Sequence, residues 1–116
     1  MENKKLISYI LPKEITRHFE IADVKESSEG ALIIYLDEKN EPPKENPGIH
    51  LISKGFCPAK KILDFPIRDK AVILRVRIRK WEDPSTGKIY SKNWDLVAKG
   101  TRYTKEFASF LKGMVG

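Results

Sequence analysis

The sequence predicts an α+β fold: antiparallel strands and hairpins, with short N-terminal helices and one C-terminal helix. Three observations carry this. Apolar residues at helical spacing occur only at the two ends, as Leu6, Ile7, Ile10 and Leu11 and as Phe107, Phe110, Leu111 and Met114. Between them, residues 31–37 and 72–81 alternate with a period of two, the signature of strands. Turn formers punctuate these runs, at Ser27-Ser28-Glu29-Gly30 and at Glu82-Asp83-Pro84-Ser85-Thr86-Gly87. A chain of 116 residues is the size of a single domain, 1–116.

The first helix ends at Pro12, which can itself open a second, Pro12 to Phe19, because a first-turn proline loses no hydrogen bond. Ile15 and Phe19 then share its inner face. A helix-turn-helix reader is disfavoured, since the second segment is short and sets Glu14 and Glu20 beside its cations Lys13 and Arg17. Ile21 to Glu26 and Ala31 to Asp37 form a hairpin. In the second strand Leu32, Ile34 and Leu36 alternate with Ile33 and Tyr35, so both faces are largely apolar and the strand is central or covered by helices. Asn40 to Gly48, with Pro42, Pro43 and Pro47, is an exposed loop. Short strands follow at Ile49 to Ser53 and Lys60 to Phe65, then a turn around Arg68-Asp69. Thr104 caps the final helix, and Gly113 and Gly116 fray its end.

The net charge of +6 is uneven. Residues 1–58 carry 8 Lys/Arg against 10 Asp/Glu, a net of −2, and residues 59–116 carry 14 against 6, a net of +8. The proline-rich loop divides an acidic part, 1–48, from a basic part, 49–116. Within the basic part, Val72, Leu74, Val76 and Ile78 share one strand face, while Arg75, Arg77 and Arg79 line the other with Trp81 beyond them. Alternate residues on a strand stand roughly 6.5–7 Å apart, about the spacing of successive phosphates. Three guanidinium groups on one face repel unless a polyanion or nearby carboxylates neutralise them, which points to nucleic acid. The competing reading is a solvated face whose long stems shield an apolar layer.

Lys88 to Trp94 returns antiparallel to this strand, with Lys88, Tyr90, Lys92 and Trp94 on one face. Two registers are open. Trp81 opposite Lys88 would set Arg77 against Lys92. Trp81 opposite Ile89 avoids that like-charge contact and turns Tyr90, Trp94 and Leu96 inward, and is preferred. Such a two-stranded ribbon fits a major groove or lies along phosphates.

Other chemistry is weakly supported. Ser85-Thr86-Gly87-Lys88 lacks the spacing of a phosphate loop and reads as a hairpin turn with glycine at positive φ. The lone Cys57 and the distant His18 and His50 cannot complete a zinc site, so no metal or other cofactor is expected and the chain should fold without one. No nucleophile–base constellation is visible, so no catalytic residue is assigned and the chain is not read as an enzyme. No apolar run approaches the roughly 18 residues of a membrane helix, and no signal-peptide core follows Met1, so no membrane partner and a cytoplasmic location are expected.

Asp64-Phe65-Pro66-Ile67, the strand Val72 to Trp81, and Arg102-Tyr103-Thr104 before a helix resemble the N-terminal region of bacterial insertion-sequence transposases. That family carries a zinc-ribbon segment with a similar pattern. In one branch the region is a short free-standing protein encoded beside a separate catalytic protein, and this chain is similar to it in length and layout. The likeness is strongest over residues 61–112. Where relatives place cysteine pairs near the hairpin, this chain has Pro84, Ser85 and Gly87, so its zinc-ribbon-like part must be held by packing. The resemblance implies recognition of the element's terminal DNA in transposition and DNA recombination, docking to a transposase catalytic subunit, and no catalysis here.

The expected DNA-binding residues are Arg75, Arg77, Arg79, Lys88 and Lys92, with Lys99 and Arg102 extending the track. Trp81 either stacks on sugar or base or caps the sheet edge. The alternative function is a protein-interaction module in which the arginine face meets the transposase catalytic protein or another acidic partner.

Overall fold

The computed structural model describes residues 2–43, 48–67, 69–92, 94 and 105–115. In chain order these form α1 (Glu2–Ile10), α2 (Lys13–His18), β1 (Phe19–Glu26), β2 (Leu32–Glu38), β3 (Ile52–Phe56), β4 (Lys60–Ile67), β5 (Lys70–Arg77), β6 (Arg79–Glu82), β7 (Ile89–Tyr90) and α3 (Lys105–Val115). The fold is α+β, with helices at the two ends and mostly antiparallel strands. Two sheets are built, one ordered β1-β2-β5-β4 and a smaller one ordered β3-β6-β7. One pairing departs from the antiparallel expectation: β2 and β5 run parallel, Leu32 opposite Val72 through Asp37 opposite Arg77. Periodicity marks which residues share a face but not which strands pair, so this crossover through β3 and β4 leaves no trace in spacing.

The helices pack on one face of the larger sheet. Ile7, Leu11, Ile15, Phe110, Leu111 and Met114 meet Ile34, Leu36, Ile62, Val72, Leu74 and Val76 in one apolar core. Phe19 lies within it, stacked on Trp94 at 5.2 Å between ring centroids and edge-on to Phe110 at 5.4 Å. Phe19 ends α2 and opens β1 in extended backbone, one residue earlier than the helical spacing predicts. β2 is central, as its two apolar faces require. Of the first helix's apolar set only Ile7 and Leu11 are buried, and Leu6 and Ile10 face solvent.

Local chemistry sets the turns. Ser27 Oγ accepts hydrogen bonds from the backbone N–H groups of Glu29 and Ala31, and Gly30 takes φ 84° to close the β1–β2 hairpin. Asp69 adopts φ 67° in the β4–β5 turn, a conformation that aspartate tolerates better than most residues. Pro66 sits in β4 beside an irregularity of register, which an edge strand accommodates because its outward N–H is not needed. Gly113 does not fray α3, which continues to Val115. A Cβ at Gly113 would come within 2.9 Å of the Ile62 side chain, so the glycine lets α3 lie close on β4. Lys60 Nζ donates to the Met114 carbonyl and satisfies one of that helix's terminal acceptors.

The arginine run is not one strand. β5 stops at Arg77, the chain breaks at Ile78, and β6 begins at Arg79 in the other sheet. The break is held on two sides. The Cys57 N–H donates to the Ile78 carbonyl at 2.7 Å, and the Arg79 N–H donates to Glu38 Oε1 at 2.9 Å.

The facing of β5 gives a direct test. Val76 is buried in the core and Arg77 points outward. Val76→Asp should abolish cooperative unfolding by circular dichroism, because it buries a carboxylate without a partner. Arg77→Ala should melt within a few degrees of the parent, since a half-exposed ion pair contributes at most about 1 kcal/mol. The reverse pattern would mean that the faces are exchanged.

Candidate nucleic-acid interface

The face of the larger sheet opposite the helices carries the outward residues of all four strands. Pairing places them in rows. Lys25, Ile33, Ile73 and Leu63 form one, and Asp23, Tyr35, Arg75 and Lys61 form the next. Glu20, Asp37 and Arg77 form the third. Leu63 is 69% exposed, and Ile33, Ile73 and Tyr35 are half-buried among their neighbours. Acidic groups occupy the β1 and β2 side together with Lys25, which lies 3.9 Å from Asp23, and the charged groups on the β5 and β4 side are cations alone.

Two of the three arginines are already engaged within the fold. Arg77 donates from Nε and Nη2 to the two carboxylate oxygens of Asp37, both at 2.7 Å, across the β2–β5 pairing. That bidentate bond holds the Arg77 guanidinium above its ordinary pKa. Its other side lies 4.1 Å from the Phe56 ring centroid. Arg79 donates from Nε to the Glu38 carbonyl at 2.9 Å and from Nη1 to Ser53 Oγ at 3.1 Å, with its guanidinium 4.7 Å from the Phe56 centroid. Arg79 therefore fastens the two sheets together, because the strand break gives it a different orientation from Arg75 and Arg77.

The remaining sequence-predicted residues disperse. Trp81 is 3% exposed, so its ring is not presented for stacking. Lys92 is largely buried, with Nζ 3.8 Å from Glu38 Oε2 and 5.4 Å from the Trp94 ring. Lys88 is exposed, beside Tyr90, on the smaller sheet. Lys99 and Arg102, like Thr104 and Leu96, lie outside the described residues.

The predicted ribbon is corrected in two ways. β5 lies between β2 and β4, so it cannot enter a groove as half of a two-stranded ribbon. In the β6–β7 hairpin Trp81 pairs with Tyr90 and Glu82 with Ile89, one residue beyond the preferred register and two beyond the other. The turn is the cause. The Thr86 and Gly87 N–H groups donate to the Asp83 carbonyl, and the Asp83 N–H donates to Lys88 O, enclosing Pro84 to Gly87 as a four-residue loop. Pro84 pre-sets the first turn position and Gly87 supplies φ 75°. Hydrogen bonds from the Ser85 hydroxyl and N–H hold the Asp83 carboxyl below its ordinary pKa.

Lys61 and Arg75 remain. They stand directly opposite each other on antiparallel β4 and β5, both exposed, and neither has a carboxylate partner among the described residues. Like charges in this position repel. Arg75 also lies 6.0 Å from the centroid of Tyr35, whose ring has Lys25 Nζ at 5.5 Å. Lys61 and Tyr35 were not legible as site residues. Lys61 acquires meaning only from its cross-strand neighbour, and Tyr35 only once it is seen that no described helix covers its face.

Among the described residues no group of three or more His, Cys, Asp or Glu side chains stands close enough to hold a metal ion, and no helix is long and apolar enough to cross a membrane. Comparison with protein families, curated proteins and solved structures finds no match to this chain.

Beside Lys92, His18 makes an edge-on contact with Trp94 at 5.4 Å. Burial, then the positive fields of Lys92 and Arg17, hold its pKa below the ordinary 6.5, against an opposing pull from Glu41. The unfolded chain then binds the proton more readily than the folded one, so stability should fall as pH drops from above about 6.5 through the lower folded value. Melting temperatures at pH 7.5 and pH 5.5 should differ by less in His18→Gln than in the parent. An unchanged difference would assign the acid sensitivity to other groups.

Proposed function

We propose that this chain is a non-catalytic nucleic-acid-binding protein whose contact centres on Lys61 and Arg75. One observation carries the reading: two like charges face each other across neighbouring strands, exposed and without a carboxylate partner among the described residues. A phosphate between them would turn mutual repulsion into two charge-assisted contacts. The +8 charge of residues 59–116 favours the approach of a polyanion. The resemblance to transposase N-terminal regions supplies the biological setting, terminal DNA of an insertion sequence in the cytoplasm.

A second role is favoured by a separate observation. Leu6, Tyr9 and Ile10 of α1 are exposed large apolar residues on the far side of the molecule's core. We assign to that helix the contact with a separately encoded catalytic protein, which keeps protein docking and nucleic-acid binding on different surfaces.

Fluorescence anisotropy with a short duplex carrying a single-stranded overhang tests the main reading. About three phosphate contacts should give a slope of log K against log salt between roughly −2 and −3. The Lys61→Ala/Arg75→Ala double variant should lose most of the affinity and flatten the slope by about two, while Lys13→Ala on α2 changes little. No binding at low salt would overturn the function, and full binding by the double variant would overturn the site.

A further inference from the structure

We propose that the open sheet face takes a single strand of nucleic acid in preference to a duplex. One phosphate lies at Lys61 and Arg75, and the adjoining base covers Tyr35 and the strip of Ile33, Ile73 and Leu63. The inference rests on the reading that Lys61 and Arg75 bind nucleic acid, and adds which form they bind and what else touches it.

Shape gives the first argument. Strands lie about 4.8 Å apart, so four of them present a face broader than a major groove of about 12 Å once side chains are added. β5, the strand that carries Arg75, is held inside this face and cannot be offered to a groove alone.

Charge gives the second. On this face, among the described residues, the cations without a carboxylate partner are one adjacent pair, Lys61 and Arg75. Glu20, Asp23 and Asp37 occupy the same face on the β1 and β2 side. Asp37 is taken by Arg77 and Asp23 lies 3.9 Å from Lys25, so among the described residues the β1 and β2 side offers a second backbone no unpaired cation. A duplex needs phosphate contacts from two backbones or along a groove edge, whereas one strand fits a one-sided site.

Apolar surface gives the third. In the same row as Lys61 and Arg75 stands Tyr35, and the next row, roughly 6.5–7 Å away, holds Ile33, Ile73 and the 69%-exposed Leu63. Paired bases are stacked inside a duplex and cannot cover such a strip. An unpaired base can, and aromatic side chains beside cations form the usual platform for single strands. The Arg75 guanidinium, 6.0 Å from the Tyr35 centroid, is placed to reach the phosphate beside a base lying there.

The test compares a labelled oligothymidylate of about 12 nucleotides with a duplex of equal length, using the full chain at matched low salt. The single strand should bind at least about tenfold tighter. Tyr35→Ala should weaken it about 5- to 100-fold and leave duplex binding unchanged, and Tyr35→Phe should retain it. A single strand carrying 5-iododeoxyuridine should photo-crosslink to Tyr35 in the unmutated protein, which guards against a variant that misfolds. Equal or tighter duplex binding overturns this inference while the proposed function stands. So does a crosslink found only away from the open face. Binding of neither form overturns both.

Discussion

Glu38 is the constraint on which the rest of the structure depends. It ends β2, is 1% exposed, and stands where the two sheets meet. Its Oε1 accepts the Arg79 N–H, its carbonyl accepts Arg79 Nε, and Lys92 Nζ approaches its Oε2 at 3.8 Å. A carboxylate removed from water to this degree is tolerated only when charges and donors surround it. Satisfying Glu38 therefore dictates that the chain break after Arg77, that Arg79 turn back toward β2, and that Lys92 fold in from beyond the second hairpin. Three segments distant in sequence are brought together by one acidic group.

The same constraint decides which cations remain for function. A row of three equally spaced arginines looks like a phosphate ladder when the strand is considered alone. In the fold, the acidic first half lies beside it. The parallel pairing of β2 with β5 sets Asp37 against Arg77, and the strand break sets Glu38 against Arg79. Arg75 escapes because its partner on β2 is Tyr35 and its partner on β4 is Lys61. Internal ion pairing of Arg77 and hydrogen bonding of Arg79 thus leave Arg75 beside Lys61 as the exposed pair on this face, and an anion that binds there meets a defined position.

How much of this was legible in the sequence follows from the range of each signal. Local patterns were read correctly: the inward set Val72, Leu74 and Val76, the central place of β2, the turn glycines Gly30 and Gly87, and the helices at both ends. Turn chemistry fixes the hairpin register, and the two registers that spacing leaves open both take too short a loop. Pro84 and Gly87 are satisfied together only when Asp83 faces Lys88. What spacing could not supply was strand order. A parallel crossover, the transfer of β6 to another sheet, and the burial of Trp81 all arise from pairings between residues tens of positions apart. Glu38 itself reads in sequence as one more charge at the end of a strand, since nothing local reveals that two cations will converge on it.

The open face then follows from topology rather than from any motif. The helices sit at the chain's two ends and join one core, so both are drawn to the same side of the sheet. Among the described residues, the crossover between β2 and β5 builds β3 of the smaller sheet and β4 of the larger one instead of a covering helix. The outward residues of four strands are left facing solvent, including Ile33, Tyr35, Ile73 and Leu63, which a strand pattern alone assigns to a second buried layer. Apolar side chains in that position cost little when dispersed, but here they adjoin Lys61 and Arg75, which have no carboxylate partner among the described residues. A ligand that is anionic at one end and flat and apolar at the other matches both halves of this surface at once, and an unpaired nucleotide has that form.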